Sequence, residues 1–185
     1  MSSGVPSEAP SSTASFTSED VAAILREHGW LGGAVEPESE ETLQAWLSRA
    51  ADLLGPHAAS RVALENLLVP IFSYDAGAIL RDPANHAVLA REGARDVIRE
   101  LANRILSGGD VDSDRLKEIV DGMKAALPQR SRDMFHPIRV ALAGRAGDGE
   151  LDRVILLLDA AAKLPFATPV KGCRQRMLEF CTALD

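Results

Sequence analysis

The sequence predicts an all-α protein. Apolar residues recur at i, i+3, i+4 and i+7 in one segment after another, and helix-starting and helix-stopping signals bracket those segments. No stretch alternates with a period of two for long enough to make a strand. The expected architecture is a helical cage or bundle of about eight helices in two packed subdomains, residues 16–81 and 82–185. A disordered Ser/Pro/Ala-rich lead-in is expected over residues 1–15, because it has too little apolar surface to offset the entropy of ordering.

Thr17-Ser-Glu-Asp20 starts the first helix, with a hydroxyl at the cap and acids in the first turn, where they complement the helix dipole. Val21, Ile24 and Leu25 follow at helical spacing, and Gly29 stops the run. A second start is read at Ser39, followed by the stripe Leu43, Trp46, Leu47, Ala50 and Leu54, which ends at Gly55-Pro56. The third run begins near His57, with Val62, Leu67 and Leu68 inward, and is disturbed at Pro70, which lacks the amide hydrogen a helix needs. Phe72-Ser-Tyr-Asp75 reads as a junction.

Asp82-Pro83 is an N-cap followed by proline at the first helical position. The spacing predicts one long helix from there through Val88, Leu89, Val97, Ile98 and Leu101 to Ile105, closed by Gly108-Gly109. The next runs from Ser113 to Leu127 and stops before Pro128. The Met134 segment, a helix over residues 151–164 and a last helix after Thr168-Pro169 complete the chain. Cys173, Met177, Phe180 and Cys181 share one side of that last helix.

Composition narrows the function. No apolar run approaches the roughly 20 residues a membrane span requires. The first residues have neither a basic n-region nor an apolar h-region, so no secretory signal is expected. Two cysteines eight positions apart on one helix would lie about 12 Å apart along the axis, too far for a disulfide. They read as small buried hydrophobes in a reducing, cytoplasmic setting. The net charge of −7 sits wholly in residues 1–56, which hold nine acids and two bases. The remainder is neutral, and from Arg130 onward nine bases face seven acids. Sixteen of the twenty bases are arginine, the better fork for phosphate and base edges. Phosphate binding is therefore permitted in the C-terminal half.

No catalytic centre is legible, and no cofactor or metal is expected. His28, His57, His86 and His136 are scattered, and neither cysteine has a Cys-x-x-Cys partner. What stands out is the corner after the Met134 helix, where Gly144, Gly147 and Gly149 call for positive φ or the close approach of other atoms. No strand precedes these glycines and no Gly-Lys-Ser/Thr follows, so they satisfy neither a Walker loop nor a dinucleotide fingerprint. Arg139, beside Ile138, has two readings: an arginine that buries its stem and pairs with a nearby acid, or a fork held at a groove for phosphate or a base edge. Spacing alone favours the first.

Pro137-Ile-Arg-Val-Ala-Leu-Ala-Gly144, then six residues to Leu151 in an apolar helix, resembles the Pro-Leu-Arg-x-Ala-Leu-Thr-Gly signature of bacterial glutamyl-tRNA synthetases, in their anticodon-binding C-terminal part. The upstream order agrees: the Phe72-Ser-Tyr-Asp75 junction, a long helix, a shorter one, then the signature. The similarity covers residues 16–165. Ala143 stands where that family usually has threonine, Gly149 where proline is common, and Asp148 where a neutral residue is frequent.

The resemblance implies an all-helical cage that grips an anticodon loop, with RNA contacts at Arg139, Gly144, Arg145, Asp148, Gly149 and Leu151. It implies tRNA of the glutamate kind as partner, and neither membrane nor DNA. The His-Ile-Gly-His-like and Lys-Met-Ser-Lys-Ser-like motifs of the synthetase active site do not occur in these 185 residues. The expectation is thus a stand-alone, non-catalytic tRNA-binding module, one half of a split aminoacylation system with a separate catalytic chain, or a tRNA-handling factor. The alternative is a helical protein-interaction scaffold that kept the fold and lost RNA; the acidic first segment and an aromatic content of 4% favour it.

Overall fold

Polar side chains at the N-cap fix half of the α-helix starts. The structure, a computed structural model, describes residues 15–185. The expected lead-in therefore lies, but for its last residue, outside the described residues. α1 (Ser18–Glu27) opens with a capping box: the Thr17 hydroxyl accepts the Asp20 amide, and the Asp20 carboxylate accepts the Thr17 amide at 2.8 Å. α2 (Pro37–Leu54) begins two residues before the expected Ser39, because Pro37 is preorganised for the first helical position. A single 3₁₀ turn, Gly55–His57, follows. α3 (Arg61–Phe72) is capped by Ser60, whose hydroxyl accepts the Ala63 amide at 3.1 Å.

Two expectations change here. Val62 is exposed rather than inward, because it projects from the side of α3 opposite the buried stripe Leu64, Leu67, Leu68 and Ile71. Pro70, where a disturbance was expected, is accommodated inside the last turn of α3, which runs on to Phe72. The Asn66 carbonyl, left without its i+4 donor, accepts Nη2 of Arg145 at 3.2 Å.

α4 (Ala76–Arg81), capped by Asp75, is a helix that periodicity did not reveal. The expected long helix from Asp82 is two: α5 (Pro83–Leu89) and α6 (Ala94–Leu106). Gly93 turns the chain between them at φ +77°, and the side chain of Gln129 lies so close over it that a Cβ would meet Nε2 at 1.8 Å. α7 (Ser113–Ala126), α8 (Arg132–Ala143), α9 (Glu150–Ala162) and α10 (Cys173–Leu184) complete the chain. Ten α-helices, not about eight, thus make up the described residues, which contain no strand. α10 begins at Cys173, later than the expected start after Thr168-Pro169. Cys173 is buried, Cys181 is half-buried, and both thiols are free.

α9 is the central element. Leu151, Val154, Ile155, Leu157 and Leu158 are all fully buried, with α2 and α3 packed on α9 from one part of the chain and α8 from another. One contiguous apolar cluster runs from Val21 of α1 to Phe180 of α10. α10 packs back on α4, α6 and α8, so the last helix closes the molecule on itself. No helix among the described residues is long and apolar enough to cross a membrane.

α8 ends where Gly144 takes the left-handed conformation at φ +84° and its amide donates to the Val140 carbonyl at 3.1 Å. Gly144→Ala places a Cβ in that conformation and will destabilise the fold by about 1–2 kcal/mol. The nearest atom to the new Cβ is a methyl carbon of Ile79 at 3.4 Å, so conformation and not crowding sets the cost. Thermal unfolding should register a midpoint lowered by roughly 2–8 °C; an unchanged midpoint would mean that the turn relaxes freely.

Candidate nucleic-acid interface

The corner between α8 and α9 is held from beneath by Arg139. Its Nε and Nη2 donate to the two carboxylate oxygens of Asp152, both at 2.9 Å, and Nη1 donates to the Gly147 carbonyl at 3.0 Å. The guanidinium also lies 5.1 Å from the centre of the Phe135 ring. Its side chain is only 10% exposed. A bidentate fork of this kind is the strong form of an arginine–carboxylate pair, and it commits three of the five N–H donors.

Other bonds complete the corner. Asn85, buried on α5, donates Nδ2 to the carbonyls of both Ile79 and Gly144, at 3.1 and 2.9 Å. Glu150 folds back so that Oε1 accepts the Asp148 amide at 3.0 Å, which ties the loop before α9 to its first residue, while the start of α9 has no side-chain cap. Gly147 is closely covered, since a Cβ would lie 2.8 Å from both Glu150 Oε1 and Leu151 Cδ1 and would force those side-chain ends to shift. Gly149 needs neither positive φ nor space: its φ is −61° and a Cβ would meet nothing within 4 Å.

The six residues expected at an RNA contact therefore separate. Arg145, Asp148 and Gly149 reach the surface. Arg139 and Leu151 are buried, and Gly144 is half-buried as the cap of α8. For Arg139 the geometry is that of the stem-burying, acid-paired reading. Leu151 is an ordinary core leucine in the first turn of α9.

Beside the corner, α7 and α9 enclose a cleft of about 370 Å³. Leu116, Val120 and Leu156 give it an apolar lining, while Lys117, Arg153 and His57 supply basic groups at the surface. Neither Lys117 nor Arg153 is ion-paired among the described residues. Gly149 and Asp152 form the wall shared with the corner. Sequence reading missed Lys117 and His57, because no local signal links them to a glycine corner some 30 or 90 residues away.

The remaining arginines near α8 have mixed duties. Arg130 turns back onto its own backbone, donating to the Leu127 and Gln129 carbonyls. Arg91 lies 3.2 Å from Nδ1 of His136 and 3.9 Å from Asp133. Burial, followed by the Arg91, Arg139 and Arg132 guanidiniums, holds the His136 imidazole below its ordinary value, while Asp148 pulls the other way. A larger cleft of about 520 Å³, walled by Leu80, Arg91, Arg95 and Leu184, lies at the start of α6.

The chain is thus an all-helical domain with a partly basic cleft beside its glycine corner. The family model described as "Anticodon binding domain" matches residues 13–161, and the chain belongs to that family. It is also 30% identical over 90 residues to the glutamate–tRNA ligase of Heliobacterium modesticaldum. Those residues are 49% of this chain and 18% of the ligase, so the chain spans less than a fifth of that relative. No solved structure matches.

Proposed function

We propose that the chain is a tRNA anticodon-binding module of the glutamyl-tRNA synthetase kind, without covalent chemistry of its own. The observation that carries this reading is the α7/α9 cleft: an apolar lining that can receive an unstacked base, flanked by two cations without ion-pair partners among the described residues, against a corner that Arg139 and Asn85 hold together. Lys117, Arg153 and Arg145 draw the loop phosphates. Arg139 shapes the corner from inside and does not itself read a base. Any aminoacylation the module serves is performed by catalytic residues outside these 185; glutamylation of tRNA by these residues alone would overturn this part.

The test is binding of a glutamate-type anticodon stem–loop against one with a swapped anticodon, titrated with salt. Lys117→Ala and Arg153→Ala should each weaken binding equally for both loops and lower the slope of log K against log salt by about 0.7. Equal affinity of the unaltered chain for both loops removes the glutamate assignment, and no binding at low salt removes RNA altogether. That last outcome would favour the second reading, a protein-interaction scaffold. Its support is the start of α2, where Glu36, Glu38, Glu40 and Glu41 are all exposed and would repel phosphate.

A further inference from the structure

The most deeply buried cation in the molecule lies outside the stretch that matches the family. Arg176, on α10, is fully buried and has no carboxylate partner among the described residues. Backbone carbonyls satisfy it instead. Nε donates to Lys171 O at 2.7 Å, Nη1 to Pro70 O and Leu142 O at 2.8 and 2.9 Å, and Nη2 to Ile71 O at 2.7 Å. Pro70 and Ile71 lie in the last turn of α3, and Leu142 in the last turn of α8. The final carbonyls of a helix have no partner within it and carry the negative end of its dipole. Two such ends, converging on one point, can hold a cation without an acid.

Tyr74 closes the arrangement. Its ring lies 4.6 Å from the guanidinium carbon, and its hydroxyl donates to Ala141 O at 2.6 Å, again in the last turn of α8. Burial brings Arg176 down to about 10, so it remains charged at neutral pH. Two residues beyond Leu142 the chain turns at Gly144, and Arg145 then reaches back to Asn66 O, the carbonyl that Pro70 leaves free. The end of α3 is thus tied to the start of the corner by two arginines, Arg176 from within the core and Arg145 from the surface.

We infer that Arg176 is a positioning residue, by which α10 sets the α8 end of the corner against α3 and so fixes the surface that carries Arg145. The RNA arm of the test rests on the function proposed above; the exchange arm does not.

The experiment compares the full chain with Arg176→Lys and Tyr74→Phe. It measures amide hydrogen exchange well below the unfolding temperature, thermal unfolding, and affinity for the anticodon stem–loop. Arg176→Lys keeps the charge but loses the planar fork that reaches two helix ends at once. It should accelerate exchange at residues 141–149 about tenfold, leave α1 and α2 as they were, and weaken stem–loop binding. Tyr74→Phe should raise exchange at the same residues by a smaller factor, and it decides the matter if Arg176→Lys fails to fold. The inference is overturned if the corner exchanges as in the unaltered chain, or if all helices accelerate together. Should the unaltered chain bind no stem–loop, the functional reading fails while the exchange pattern still decides the role of Arg176.

Discussion

Asp152→Ala will lower the unfolding free energy by about 2–4 kcal/mol. The substitution takes both acceptors from the Arg139 fork and leaves a guanidinium in a site only 10% exposed. Removing one partner of a buried pair costs roughly 3–5 kcal/mol, because the remaining charge is buried uncompensated. Asp152 is itself about a third exposed, so water entering beside it recovers part of that loss. Asp152→Asn keeps one acceptor and the side-chain volume and should cost about half as much. Urea unfolding midpoints separate the two variants. A change below about 0.5 kcal/mol for the alanine variant would mean that the ion pair does not hold the corner.

Trp46→Ala will cost about 3–5 kcal/mol, a large share of the 5–15 kcal/mol by which domains of this size are usually stable. Trp46 is 3% exposed, meets Phe166 edge-on at 5.2 Å, and donates Nε1–H to the Leu157 carbonyl at 3.1 Å. Leu157 lies in the middle of α9, so the indole locks α2 to the central helix while Phe72 approaches from α3 at 6.4 Å. Trp46→Phe keeps most of the apolar area and should lose about 1–2 kcal/mol. Equilibrium denaturation followed by far-ultraviolet circular dichroism measures both. Equal losses for the two variants would show that the hydrogen bond outweighs the packing.

The caps at Thr17 and Asp82 were legible because a cap is settled within three residues of sequence. The break between α5 and α6 leaves a trace in the sequence. After Val88 and Leu89 the helical stripe would continue through Glu92, Arg95 and Asp96, all charged, before resuming at Val97. A stripe that lapses for a full turn beside a glycine marks a helix end. α4 was missed because six residues hold too little periodicity to register, although Asp75 is the same kind of cap as Asp82.

The site was legible in outline only. Its corner declared itself through Gly144 and the Pro137–Gly144 signature. The partner of Arg139 lies 13 residues along the chain, and the cleft's Lys117 comes from another helix, so only the fold joins them to it. Arg176 stands three residues after Cys173 and four before Phe180, squarely on the apolar side of α10. A charge in the middle of an apolar stripe announces a buried, satisfied cation, but which carbonyls receive it cannot be read from spacing.

Pro70 has a consequence for how the surrounding residues depend on one another. Its missing amide is ordinarily a defect in a helix, yet here it keeps the Asn66 carbonyl open for Arg145. Any residue other than proline would bring an amide that competes for that oxygen. The two positions are therefore thermodynamically coupled: exchanging both should cost less than the sum of exchanging each alone. The proline acts as a reserved socket, and the arginine as the plug cut to fit it.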